Sequence, residues 1–184
     1  MSQIDYLKTL LRYNAWANAE LCAAVRALPE AEKTRERPAL FKTIVRTLNH
    51  PLVTDRIWWA HLHGEPHGHK ALNDVVHEDF EDLAAARAEM DRRLIGYADR
   101  LSAATVEQPV AFTLLSGNQG EMSRGMILMH VVNHNSYHRG FVVEAFCQIP
   151  APLPLIDLPI FMRGAGGLTT LPPHLKPVRW VAAA

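Results

Sequence analysis

Apolar residues recur every three or four positions along four separate stretches of this chain, and that period is the signature of amphipathic helices. Ile4, Leu7, Leu11, Leu21, Val25 and Leu28 mark the first stretch, expected from Ser2 to Leu28. Ser2 and Asp5 suit a capping box at its start, and Pro29 stops it. A second helix is expected from Pro38 to Leu62 on the face of Phe41, Ile44, Val45, Leu48 and Leu52, with Pro51 inside it as a kink. A third, from Val75 to Ala103, carries Phe80, Leu83, Ala86, Met90, Leu94 and Tyr97. A fourth runs from about Ser123 to Ile149. Four such helices bury their stripes most simply against one another, so the expected fold is all-α, a four-helix bundle of either simple or crossover topology.

The remaining segments are short. Residues 107–122 hold Pro109, Gly117 and Gly120, and Val110 to Leu115 reads as a strand that the Ser116–Gly120 run turns into a small hairpin before the fourth helix. The Pro/Gly-rich tail after Pro150 has room for one short helix near Leu155 to Arg163, and the stretch from Gly164 has no assignment. No repeat or long linker divides residues 1–184, which are expected to form one domain.

Composition narrows the function. Of 184 residues 48% are apolar, enough for a core, and the 19 basic side chains balance the 19 acidic ones. A net charge of zero gives no footprint for nucleic acid or an anionic membrane surface. No run approaches the roughly 20 apolar residues of a membrane span, and Asp5, Lys8 and Arg12 break up the start as no secretory signal would. The expected location is the cytoplasm. Cys22 and Cys147 make no disulfide framework and no metal motif, and both read as small buried hydrophobes.

The chemistry concentrates in the fourth helix, at Met129-His-Val-Val-Asn-His-Asn-Ser-Tyr-His-Arg-Gly140. His130, His134 and His138 are spaced four apart on one face, which Ile127, Val131, Phe141, Val142 and Ala145 make apolar. Buried imidazoles need partners for both ring nitrogens, and one cation satisfies several rings at once. By spacing alone, His130/His134 and His134/His138 are equally good metal-binding pairs. A third ligand must come from another helix, and His50 is the candidate because it sits mid-helix. Pro51 biases His50 away from the α region, so its direction stays open.

Several segments together resemble the DinB/YfiT-like superfamily. Asn133-His-Asn-Ser-Tyr-His-Arg-Gly140 is similar to its NHxxxHRG signature, Leu48-Asn-His-Pro-Leu-Val-Thr-Asp-Arg-Ile-Trp58 to its second-helix motif, and Tyr13-Asn-Ala-Trp-Ala-Asn18 to its YxxWAN motif. Pro154-Leu-Ile-Asp-Leu-Pro-Ile-Phe161 resembles its closing segment. The resemblance implies a bundle holding one divalent metal ion per chain, nickel or zinc, through His50, His134 and His138, with His130 as a neighbour. It implies a homodimer, and among its activities are transfer of low-molecular-weight thiols and related isomerisations. Two positions depart from the pattern: Phe141 stands where the family usually has Gln, and Pro51 follows His50 directly.

Three nitrogen ligands leave positions open, so such a metal lowers the pKa of bound water toward roughly 7 or holds a thiol as thiolate. The candidate helpers are Asp55, which could orient an imidazole or pair with Arg56 or Arg139; Asn14, Asn18 and Asn133; Tyr137; and Arg139, either on a substrate carboxylate or in an ion pair. Trp16, Trp58 and Trp59 read as core or dimer contacts. His61, His63, His67 and His69 read as a solvated loop with incidental metal affinity, and His77 and His174 carry no role. Two functions follow: a metal-dependent enzyme acting on a small-molecule substrate, by thiol S-transfer or hydrolysis, or a non-catalytic, stress-linked protein that binds a metal or small ligand.

Overall fold

A computed structural model describes residues 2–164; the expectations for Gly164 onward and for His174 therefore fall almost wholly outside the described residues. The first long helix, α1, spans Gln3–Arg26, and a single turn, α2, follows at Glu30–Thr34. Then come α3 at Ile44–His63, α4 at Phe80–Asp99, the short α5 at Ala103–Val106, strands β1 at Pro109–Thr113 and β2 at Gln119–Ser123, α6 at Arg124–Phe146 and the short α7 at Leu158–Met162.

The four long helices form the expected all-α bundle. Helix α1 packs on α4 and α6, and α3 packs on the same two, so α1 and α3 stand diagonally across the bundle. The connection from α1 to α3 therefore crosses it, which selects the crossover alternative. One apolar core, including Leu11, Leu21, Val25, Leu52, Leu83, Leu94, Ile127, Leu128 and Val131, joins all four. No helix among the described residues is long and apolar enough to cross a membrane.

Local chemistry sets the boundaries. The Ser2–Asp5 capping box forms as expected: the Ser2 hydroxyl accepts the Asp5 N–H at 3.3 Å and the Asp5 carboxylate accepts the Ser2 N–H at 2.8 Å. Helix α3 starts six residues later than the expected Pro38, because Lys42 takes the left-handed conformation (φ 64°) and Thr43 caps the helix by accepting the Arg46 N–H. Phe41 thus sits in the approach to the helix rather than on it. Helix α4 starts at Phe80 and not Val75, because Asn49 captures the strand-like approach: its side-chain oxygen accepts the N–H groups of Val76 and His77, and its amide donates to the His77 carbonyl. Pro51 lies within α3, which continues through it without the Pro51 N–H that would have reached the Thr47 carbonyl.

The hairpin pairs β1 and β2 antiparallel, with Val110 opposite Met122 and Phe112 opposite Gly120. Gly120 is required there, since a Cβ would lie 2.7 Å from the Phe112 ring. Phe112 in turn packs edge-on against Trp58 of α3, at 4.9 Å. Helix α7 docks through Phe161 onto Trp16 and Tyr13, a small second cluster outside the main core. One cysteine departs from expectation. Cys22 is buried, and burial pushes its thiol up to about 11, but Cys147 is exposed because it lies just past the last turn of α6 that faces the core.

Candidate metal centre

His50 reaches inward from α3, and His134 and His138 meet it from α6, one helical turn apart. The ring centroids of His50 lie 4.9 Å from His134 and 4.4 Å from His138, and those of His134 and His138 are 4.4 Å apart. One nitrogen from each ring lies within 4.8 Å of the others, a spacing at which the three could hold a metal ion. His130 is not part of this group; its ring contacts Trp58 and His134 instead.

Hydrogen bonding orients the set. His50 Nδ1 lies 2.7 Å from the Leu72 carbonyl, which can only accept, so the ring keeps its proton on Nδ1. Its Nε2 lone pair then faces His134 Nε2 at 3.1 Å. Tying the far nitrogen to a carbonyl in this way is the usual means of aiming a ligand imidazole. His134 Nδ1 and His138 Nδ1 are buried without hydrogen-bond partners. Burial and the neighbouring imidazoles push His134 down to about 3 and His138 down to about 4, and burial lowers His50 as well. All three rings are therefore neutral near pH 7, which is the state a metal requires of them. Convergent neutral imidazoles are a donor set that suits several divalent first-row metals.

Beneath this group lies a buried polar frame. Asp55, 0% exposed, accepts from Arg87 of α4 at 2.6 Å and from the Asn135 amide of α6 at 3.0 Å. Arg87 also binds Asp91, one turn on, at 2.9 Å. Asp91 accepts from the amides of Asn14 and Asn18 on α1, and the oxygens of those amides accept from Arg139 of α6 at 2.6 and 2.8 Å. Two carboxylates and two guanidiniums thus balance inside the bundle, with asparagines bridging them across all four long helices. Burial raises the Asp55 carboxyl to about 6 against the pull of Arg87; Arg87 itself is raised, because Asp91 and Asp55 outweigh its own burial.

This frame changes the roles expected of several residues. Asp55 touches neither the histidines nor Arg56 or Arg139; its partner is Arg87. Arg139 is buried and forms no carboxylate pair, bonding to Asn14, Asn18 and Ser136 and lying over the Tyr13 ring. Asn14 and Asn18 serve the frame and not the histidines. Asn133 is exposed, whereas Asn135, two residues on, is buried in the frame. Tyr137 is 61% exposed, with its ring edge-on to His138. Sequence reasoning passed over Arg87, Asp91 and Asn135. The signal was available for the first two, because they interrupt the stripe of Phe80, Leu83, Met90 and Leu94 at positions that face the core.

The histidine-rich loop divides. His61 and His63 belong to the last turn of α3, which Gly64 ends in the left-handed conformation (φ 67°), and only His67 and His69 are in the loop. His63 bonds the Trp59 carbonyl, and His61 and His67 line a cleft of about 760 Å³ against the hairpin. Trp58 lies in the core, Trp59 is half-buried against His63 and Tyr97, and Trp16 packs under α7.

Comparison with known proteins places these features in context. The sequence profile of the DinB family matches residues 1–173. Protein DinB of Bacillus subtilis (strain 168) is 26% identical over 158 residues, covering 78% of this chain and 86% of that protein.

Proposed function

The chain belongs to the DinB family, and from that premise we propose that it is a metal-dependent enzyme whose ion is held by His50, His134 and His138. The observation that carries this reading is the convergence of three neutral imidazoles from two helices, with His50 aimed by the Leu72 carbonyl. Three imidazole ligands suit zinc, nickel, copper or iron(II), and the resemblance favours the first two. A divalent ion in such a setting supplies Lewis acidity, enough to make water or a thiol a nucleophile near neutral pH. The proposed reaction is transfer of a low-molecular-weight thiol or hydrolysis of a small substrate.

The chain's own residues contribute orientation. Leu72 fixes the tautomer of His50. The Asp55–Asn135 bond sets α3 against α6, so the rings that those helices carry stay in register. Phe41, Tyr137 and Phe141 pack against the rings of His50 and His138.

Elemental analysis of untagged protein tests the assignment. About one equivalent of a divalent metal is expected per chain. His134→Ala should lose it and His130→Ala should keep it. Retention of stoichiometric metal by the His134→Ala variant would remove the proposed ligand set. Assays with glutathione, bacillithiol and mycothiol then test thiol transfer. A metal enclosed by four protein ligands would instead favour a non-catalytic binding role.

A further inference from the structure

The rings that surround the three histidines are apolar, and they are not spent on the core. Phe41 stacks on His50 at 4.5 Å with an interplanar angle of 24°, and also leans on His138 at 5.7 Å. Tyr137 meets His138 edge-on at 5.0 Å, Phe141 lies 5.7 Å from the same ring, and the two aromatics are edge to face with each other at 4.9 Å. Phe41 and Phe141 are half-buried and Tyr137 is largely exposed. Leu40, beside Phe41, and Leu72, whose carbonyl holds His50, expose their side chains as well.

Exposed Tyr137 and half-buried Phe41 and Phe141 thus border the group of side chains that, among the described residues, could hold an ion. The buried charged side chains turn elsewhere: Arg87, Asp55, Asp91 and Arg139 satisfy one another and the asparagines of α1, and Lys33 and Arg37 pair with Glu30 and Glu32. The hydrogen bonds of the three histidines go to Leu72 and to each other. The contacts that Phe41, Tyr137 and Phe141 offer beside the histidines are therefore those of shape and of aromatic rings.

We propose that the substrate carries a flat apolar group, of the size of a phenyl ring, next to the atom that engages the metal, and that Phe41, Tyr137 and Phe141 select it. The inference rests on the metal reading above, and it adds a substrate class to it. Edge-to-face contacts with Tyr137 and Phe141 and stacking beside Phe41 are the geometries that aromatic pairs prefer.

Cobalt(II)-loaded protein provides the test, because its visible spectrum reports thiol coordination without turnover. Benzyl mercaptan and 2-mercaptoethanol present the same donor with and without the ring. Benzyl mercaptan is expected to bind about tenfold more tightly, the gain that one or two aromatic contacts provide. Tyr137→Ala and Phe141→Ala should keep cobalt uptake and the fold, seen by circular dichroism, while the preference shrinks toward parity. Equal binding of the two thiols by the unaltered protein overturns the proposal. So does a preference that persists unchanged in both variants, since the selectivity would then come from elsewhere. Failure of the protein to take up cobalt overturns the metal reading itself, and is distinguishable from either result.

Discussion

Asp55 shows how much of this molecule depends on single side chains. It is fully buried, with a guanidinium and an amide as its partners. Removing one member of a buried pair leaves the other charge uncompensated, so Asp55→Ala should cost about 3–5 kcal/mol in urea denaturation. A loss below about 1 kcal/mol would mean that Asp91 alone satisfies Arg87. The histidines carry a separate pH dependence in protein stripped of metal. In the unfolded chain they take protons near pH 6.5, but the folded protein resists until about 4 at His138 and about 3 at His134. Below pH 6.5 the unfolded state thus binds more protons, and stability falls as the pH drops toward 4. Asp55 works in the opposite sense. Its folded value of about 6 lies above the unfolded 3.8, so its contribution is present below 3.8 and lost as the pH rises through 6. One carboxyl opposes three imidazoles, and the net expectation is a lower urea midpoint at pH 4.5 than at pH 7; a flat profile would contradict it.

At the scale of elements, ends and faces decide what forms. The capping box at Ser2 satisfies backbone donors of α1, and Ser2→Ala should cost about 1 kcal/mol, measured as a shift in the urea midpoint with unchanged slope. The four long helices were legible in the sequence because each repeats its apolar positions over many turns. Their starts were not legible where a distant group intervenes. Asn49, 27 residues before Val76, holds Val76 and His77 and delays α4; the delay of α3 is local, a left-handed turn at Lys42 that a non-glycine residue does not announce. Convergence of His134 and His138 follows from helical spacing alone. The direction of His50 does not, because Pro51 clouds it and the Leu72 carbonyl that fixes it is 22 residues away. The same holds for Asp55, whose partner in α4 is 32 residues on.

For the molecule as a whole, the candidate centre bridges two helices of a bundle that is already held by its core. An ion bound only by the folded state should therefore raise stability by mass action. At a free concentration about a hundredfold above its Kd, the gain is about 2.7 kcal/mol. Calorimetry with and without chelator should show a higher melting temperature for loaded protein, and His134→Ala should abolish the difference. Basic and acidic side chains balance over the chain, 19 against 19, and four of them are spent on the buried frame.

The arrangement of α6 has a consequence for how this protein can vary. Asn135 follows His134 directly, and Arg139 follows His138, so each imidazole has a frame residue as its immediate neighbour on the helix. One residue is about 100° of rotation on an α-helix. A single insertion between Val131 and Asn133 would bring Asn133 and Tyr137 into the histidines' places and put the histidines in those of Asn135 and Arg139, unmaking the site and the frame in the same event. Drift in the turn of the hairpin faces no such coupling, whereas the connection from α3 to α4 is tied to the centre through the Leu72 carbonyl. Lineages and engineers alike can rebuild the hairpin turn in length, while the spacing within α6 admits substitutions but not insertions.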